Sequence, residues 1–237
     1  MLFDGRLALS PISAVAYAQH AQNFVLLPDL CIGARREVLS VLLVSEVAPA
    51  LLDGATVAVT SESASGAALL RVLLEGKYGV RARFQDDDDP LSTVLRTQRP
   101  ALLIGERAID ARVAIPAEHL YDLGSLWNEW TGEDSVFAVW AARRDVFERD
   151  PDSVAACMAQ FRAAYLWGTE HRQEIISQAE KVRARPPGFY EEYYEKLNFK
   201  FDGAAQRGLQ RFFGELLAIG LINNVPVSEP EVSGVSG

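Results

Sequence analysis

The sequence predicts an α/β fold of two lobes, with mixed sheets, flanking helices and a helical C-terminal third. Three observations support this fold class. Short apolar runs alternate with helix-like stretches through the first part of the chain, which is typical of alternating strands and helices. Two of these runs, centred on Leu42 and Val139, are hydrophobic almost throughout, as is usual for strands covered on both faces. Beyond Asp150, helical periodicity replaces the strand-like runs.

The strands are predicted from apolar runs that end at proline, glycine or polar residues. Such residues favour turns, because proline and glycine fit poorly into the interior of a strand. The predicted strands lie at 6–13, 26–33, 38–45, 56–60, 101–105 and 136–142, and a further strand ends at Phe84.

Helical periodicity follows several of these runs. A helix at 14–22 follows the first strand, and a polar loop at 61–66 leads into a helix at 67–74. Shorter helices are predicted at 91–97 and 125–132, and the second of these ends in glycine.

The C-terminal third begins with a clear helix start. Asp150 is a good N-cap residue, and Pro151 suits the first helical position, so we expect a long amphipathic helix that continues to about Arg183. The prolines and glycine at 186–188 end that helix. Further helices at 189–197 and 203–222 and a disordered tail at 228–237 complete the chain.

The two most apolar strands suggest how the chain divides into lobes. They bracket an α/β stretch of the size of a small lobe, as two antiparallel hinge strands would. We expect one lobe to consist of 1–42 together with 139–227, and the other to consist of 43–138.

Charge and hydropathy exclude several classes of partner. Acidic residues outnumber basic ones by 32 to 23, which gives a net charge of −9, whereas phosphate-binding surfaces need clustered lysine and arginine. No run of about 18 apolar residues could cross a membrane, and the N-terminus lacks the features of a signal peptide. We expect a cytoplasmic protein that binds a small molecule, and neither nucleic acid nor a membrane.

Motifs for metals, cofactors and nucleophilic catalysis are absent from the sequence. Cys31 and Cys157 have no C-x-x-C spacing, so we expect reduced thiols packed as small apolar groups, and no metal. The sequence has no phosphate-binding loop, dinucleotide fingerprint or nucleophile elbow, and no histidine has a recognisable triad partner. We therefore expect no cofactor, while the catalytic residues and the oligomeric state stay unknown.

Hydroxyl side chains gather at the predicted carboxyl ends of strands, where ligands bind in open α/β sheets. Thr60, Ser63 and Ser65 precede a helix, so their hydroxyls and the free backbone N–H groups would converge at the positive end of the helix dipole. Ser13 and Gly105 follow two other strands. Such a site suits a carboxylate or a phosphate. The alternative interpretation is structural, since serine caps helices and both serine and glycine form turns.

Four segments share their order and spacing with a known enzyme family. They lie at 10–18, 57–65, 101–108 and 121–140. The most specific part is W-x-x-W-T-G, which begins at Trp127 and is followed by V-F-A-V-W. In these segments the chain resembles the chorismate dehydratase family of the futalosine pathway to menaquinone, and the helical C-terminal third is compatible with that family.

This resemblance implies a type II periplasmic-binding-protein fold that works as a cytoplasmic enzyme. The family removes water from chorismate to give 3-[(1-carboxyvinyl)oxy]benzoate, and the substrate's own enolpyruvyl carboxylate can serve as the base. The protein then has to hold a dianion in a reactive conformer in a dry cleft. By the same resemblance, the residues that line the cleft and hydrogen-bond the carboxylates are Ser13, Thr60, Ser63, Ser65 and Gly105.

The chain departs from the family pattern at several positions. Family members begin with an additional strand and helix, whose first loop contributes a polar residue, so we expect this N-terminal unit to be missing here. Gly66 stands where a serine is usual, Glu106 where an aspartate is usual, and Ala14 where a second serine is common.

Two other functions stay open. A non-catalytic solute-binding protein for a small anionic metabolite would share the fold and the cleft. A pyrimidine-precursor synthase of the same fold class would need a histidine and cysteine pattern that the sequence lacks.

Overall fold

A computed structural model describes residues 1–60, 63–227 and 230. The tail predicted at 228–237 lies outside the described residues except for Pro230, and so do Ser61 and Glu62 of the predicted polar loop. Strands and helices alternate along the described chain in two mixed or antiparallel sheets, which confirms the predicted α/β fold class.

The strands are β1 (Leu9–Ser13), β2 (Phe24–Ala34), β3 (Val41–Val44), β4 (Thr56–Val59), β5 (Arg83–Asp86), β6 (Ala101–Ile104), β7 (Leu120–Asp122), β8 (Ser135–Arg143) and β9 (Leu197–Lys200). The helices are α1 (Ala14–His20), α2 (Ala64–Val72), α3 (Pro90–Thr97), α4 (Gly105–Ala114), α5 (Leu123–Thr131), α6 (Arg144–Arg149), α7 (Pro151–Glu170), α8 (Arg172–Val182), α9 (Phe189–Lys196) and α10 (Gly203–Ala218). Aspartates start several helices, because a carboxylate accepts an N–H bond that the first turn leaves free. Asp150 accepts from Ser153 N at 3.1 Å, and Asp202 accepts from Ala205 N at 3.1 Å.

The four-stranded sheet has the order β1-β8-β2-β9, and all its neighbouring strands are antiparallel. Ile12 lies opposite Val139 in this sheet. One face packs against α1 and α10, and the other packs against α7 through Val154 and Met158. The central strand β8 is therefore covered on both faces, which explains its uninterrupted apolar sequence.

The five-stranded sheet has the order β5-β4-β6-β3-β7. Strand β4 is parallel to β5 and β6, whereas β3 is antiparallel to both β6 and β7. As a result β4, β5, β6 and β7 all run in one direction. Their carboxyl ends meet at one edge of the sheet, where β3 begins; this edge is called the carboxyl edge below.

The chain passes from one sheet to the other at 35–40 and returns at 132–134. The prediction that the strands around Leu42 and Val139 form a hinge pair is wrong, because β3 pairs with β6 and β7 while β8 pairs with β1 and β2. Each is fully apolar because it lies inside its own sheet. The predicted lobe boundaries at 42/43 and 138/139 fall within these strands, and the division into lobes stays a prediction.

The described part of the C-terminal third contains four helices and β9, a short strand that the sequence pattern did not predict. The long helix predicted to reach Arg183 is wrong, because α7 ends at Glu170 and α8 begins at Arg172. Between them the His171 ring stacks on Trp167 with ring centroids 4.3 Å apart, and its Nδ1 lies 2.9 Å from the Trp167 carbonyl oxygen. The backbone leaves helical geometry at this residue.

Candidate functional site

The carboxyl edge of the five-stranded sheet brings together three sequence positions that were predicted to bind a ligand. Thr60 follows β4 and is buried, Ser63 starts α2, and Gly105 starts α4 directly after β6. Because β4 and β6 are parallel neighbours, the loops and helix starts that follow them lie side by side. Two helix N-termini therefore point their positive dipole ends at the same edge.

Ser63 is the N-cap of α2. Its Oγ accepts a hydrogen bond from Gly66 N at 3.2 Å, so the capping interpretation holds for this residue. A Cβ atom at position 66 would collide with Ser63 Oγ, which explains why the chain carries a glycine there. The cap and the first turn of α2 are thus fitted to each other.

Ser13 and Ser65 meet although 52 residues separate them. The Ser65 hydroxyl donates to the Phe137 carbonyl oxygen at 2.7 Å, so Ser13 must be the donor in its 2.8 Å bond to Ser65. Ser13 Oγ also accepts from Ala16 N at 3.3 Å and caps α1. This chain of hydroxyls links β1 and β8 of the four-stranded sheet to α2, the helix that follows β4 of the five-stranded sheet.

Gly105 lies in the left-handed region, with φ of +55°, and its N–H donates to the Ser40 carbonyl oxygen at 2.8 Å. The alternative prediction, that this glycine only forms a turn, is incomplete, because Gly105 begins a helix of ten residues. Sequence reasoning missed α4, since the residue before it, Ile104, offers no side-chain cap. A Cβ atom at position 105 would meet no neighbouring atom, so open space borders the residue.

The sequence interpretation also missed Asp122. This residue holds in place the segment 35–40, where the chain passes between the sheets, called the crossing segment below. Its buried carboxylate accepts from Val38 N at 3.1 Å and Leu39 N at 2.8 Å, and it pairs with Arg112 at 3.1 Å. It also caps α5 through Ser125 N at 3.0 Å. The available signal was an aspartate directly before a helix, which is a common N-cap.

Four charged side chains gather beside Gly105. Arg183 and Arg185, which lie between α8 and α9, both pair with Glu106 and Asp110 of α4. The hydrogen bond from Arg185 and the charges of both arginines hold the pKa of Asp110 below its ordinary value. Nothing in the sequence pattern indicates that these distant residues meet.

The two cysteines lie in different environments. Burial is the main cause that raises the pKa of Cys31 to about 12, so this thiol stays protonated and is not a nucleophile at neutral pH. Cys157 is exposed, so the prediction that both thiols are packed as small apolar groups is right only for Cys31. Across residues 1–60, 63–227 and 230, no group of His, Cys, Asp and Glu has the geometry of a metal site.

Length and apolar character together decide whether a helix can cross a membrane. Among the described residues, no helix is both long enough and apolar enough to cross a membrane.

Comparison with known proteins gives the family. The model of a family described as menaquinone biosynthesis matches residues 1–217. The chain belongs to the menaquinone biosynthesis family. A chorismate dehydratase of Thermus thermophilus is 30% identical over 227 residues, which cover 90% of this chain and 80% of that protein. The family resemblance inferred from the four sequence segments is thereby confirmed.

Solved structures confirm the fold expected for this menaquinone biosynthesis protein. An Archaeoglobus fulgidus protein matches with a TM-score of 0.67 and 21% identity, covering 93% of this chain and 82% of that chain. The periplasmic aliphatic sulphonate binding protein of Escherichia coli matches with a TM-score of 0.64 and 15% identity, covering 98% and 79%. A Candida albicans protein described as having the generic periplasmic binding protein fold matches at 0.58 and 13%, covering 99% and 84%. The family member thus has a periplasmic-binding-protein-like fold.

Proposed function

We propose that the chain is a chorismate dehydratase that eliminates water from chorismate to give 3-[(1-carboxyvinyl)oxy]benzoate in menaquinone biosynthesis. Membership of the family and the 30% identical Thermus thermophilus enzyme support this proposal. The observation that carries it is the carboxyl edge, where Thr60, Ser63 and Gly105 lie at the starts of two neighbouring helices. Helix starts of this kind suit the carboxylates of a dianion.

The proposed reaction needs little acid–base machinery from the protein. A proton leaves C3, the C4 hydroxyl leaves as water after taking up a proton, and the ring becomes aromatic. In our proposal the enolpyruvyl carboxylate of the substrate removes the C3 proton, and the same proton can leave with the hydroxyl. The protein holds the conformer in which that carboxylate reaches C3 and keeps bulk water away.

Each predicted site residue has a proposed part in this binding. Thr60, Ser63 and the first turn at Gly105 hydrogen-bond one substrate carboxylate. Ser13 and Ser65 already bond each other at 2.8 Å. We propose that Ser13 gives up this bond, and Ser65 its bond to the Phe137 carbonyl oxygen, so that both hydroxyls donate to the second carboxylate, which would couple substrate binding to the contact between the two sheets.

Incubation of the purified chain with chorismate tests the proposal. We expect a product that has lost one water, identified by mass spectrometry against authentic 3-[(1-carboxyvinyl)oxy]benzoate. Persistence of chorismate with no such product would contradict the proposed function. Tight binding without turnover, together with export from the cytoplasm, would instead favour the solute-binding alternative.

The Ser63→Ala variant sharpens this assay. A hydrogen bond to a charged group contributes about 1.5–3 kcal/mol, so we expect kcat/KM to fall about 10- to 100-fold. Ser177→Ala, on an exposed turn of α8, is the matched control and should leave kcat/KM unchanged. Thermal unfolding of each variant separates the lost substrate bond from the lost helix cap.

A further inference from the structure

A carboxylate stands next to the proposed binding position for a dianion. Glu106 lies in the first turn of α4, directly after Gly105. An uncompensated negative charge there would oppose the helix dipole's attraction for a substrate carboxylate, because like charges close to one site repel each other. Neutralisation of Glu106 therefore favours the binding of an anion at this edge.

Arg183 and Arg185 supply that neutralisation. Arg185 Nη1 lies 2.6 Å from Asp110 Oδ1, and its Nη2 bonds Glu106 Oε2. Arg183 Nε lies 3.0 Å from Glu106 Oε2, and its Nη2 lies 2.7 Å from Asp110 Oδ2. Two cations thus balance two carboxylates in one network.

Arg185 is the stronger partner of the two arginines, because it is shielded from water. Its side chain is 8% exposed, whereas that of Arg183 is 46% exposed, and screening by water weakens exposed pairs. Arg185 Nε is also buried and has no acceptor among the described residues. A buried N–H group without an acceptor is costly, so the ion pairs of this side chain have to outweigh that cost.

A chain of contacts through α9 also links Arg185 to Gly105. The Arg185 guanidinium lies 5.9 Å from the centre of the Phe189 ring, which stacks on Tyr193 at 5.7 Å. The Tyr193 hydroxyl donates to Ser40 Oγ at 3.2 Å, and the Ser40 carbonyl oxygen accepts from Gly105 N. These contacts connect Arg185 to the first residue of α4.

We infer that Arg185 is a positioning residue for substrate binding: by neutralising Glu106 and fixing the start of α4, it allows the carboxyl edge to accept a dianion. The inference rests on the proposed function for the identity of the dianion. The inference concerns substrate binding and not the chemical step, so measured ligand affinity tests it without turnover.

The test is a double-mutant cycle measured by calorimetric titration with 3-[(1-carboxyvinyl)oxy]benzoate. We expect Arg185→Ala to raise Kd about tenfold or more, which corresponds to about 1.4 kcal/mol. Adding Glu106→Gln should restore Kd to within about threefold of the original value, since the uncompensated charge is then gone. Arg185→Lys, which keeps the charge and loses the planar fork, should fall between the two.

Arg162→Ala is the matched control, because Arg162 forms an exposed pair with Asp29 at 3.3 Å far from this network in sequence. It should leave Kd unchanged. An unchanged Kd in Arg185→Ala, or a loss that Glu106→Gln does not rescue, would overturn the inference, because a purely structural role predicts no rescue.

Turnover of chorismate is measured on the same preparations. Binding that follows the double-mutant cycle without any turnover would remove the proposed function and leave the inference standing. A kcat/KM for chorismate that is unchanged in Arg185→Ala would remove the inference alone. Absence of both benzoate binding and chorismate turnover in the unmodified chain would contradict both.

Discussion

Asp122 connects the crossing segment to the five-stranded sheet through one buried carboxylate. Its oxygens accept three backbone N–H bonds and one ion pair, from residues of the crossing segment, α5 and Arg112. Bonds to a charged acceptor are among the stronger hydrogen bonds in proteins. The side chain therefore sets the position of Ser40, which in turn accepts the Gly105 N–H bond.

The Asp122→Asn variant tests this role. The amide keeps the shape but loses the charge, and its NH₂ group faces backbone donors, so we expect the free energy of unfolding to fall by about 2–3 kcal/mol. Urea unfolding followed by circular dichroism measures the change. Asp88→Asn, at an exposed position between β5 and α3, is the control and should change it by less than about 0.5 kcal/mol. Equal effects of the two substitutions would contradict the role assigned to Asp122.

The two cysteines should differ in reactivity. Burial raises the pKa of Cys31 to about 12, so almost none of it is thiolate at pH 8, whereas Cys157 is exposed. We expect a disulfide reagent such as 5,5′-dithiobis(2-nitrobenzoate) to react rapidly with one thiol in the folded chain and with the second only in denaturant. Cys157→Ala should remove the fast phase. Rapid reaction of both thiols would contradict the burial of Cys31.

Strands were easier to predict than helix starts. The apolar runs of β3, β6 and β8 are bounded by polar residues or glycine, so their positions were predicted closely. Helix α4 was missed because no polar side chain caps it. The break at His171 was missed because the helical periodicity continues through it, and only the local ring stacking and carbonyl contact mark the end of α7.

Two glycines in helices should respond oppositely to alanine. Gly105 has φ of +55°, so Gly105→Ala should destabilise the chain by about 1 kcal/mol, because a side chain is strained in this region. Gly214 lies inside α10, where a Cβ atom would meet nothing. Gly214→Ala should therefore stabilise it by about 0.5–1 kcal/mol. Thermal unfolding of both variants gives the two signs, and a shared sign would contradict the backbone geometry assigned to Gly105.

The family and the fold were predictable from the sequence, whereas the contacts between distant segments were not. Four segments with conspicuous sequences were enough to give the family and its fold. The Ser13–Ser65 bond and the Arg185–Glu106 pair join residues that are far apart in sequence, and nothing local in either segment specifies its partner. Such contacts depend on the strand order of both sheets, which the sequence pattern alone did not determine.

The location of the ligand is the most direct test of the central claim that the carboxyl edge binds a chorismate-derived dianion. We predict that a crystal structure of the chain with 3-[(1-carboxyvinyl)oxy]benzoate will show a carboxylate within hydrogen-bond distance of Ser63 and the first turn of α4. Density for the benzoate elsewhere, such as in the cavity of about 560 Å³ beside Trp140 and Tyr194, with an empty carboxyl edge, would contradict the claim.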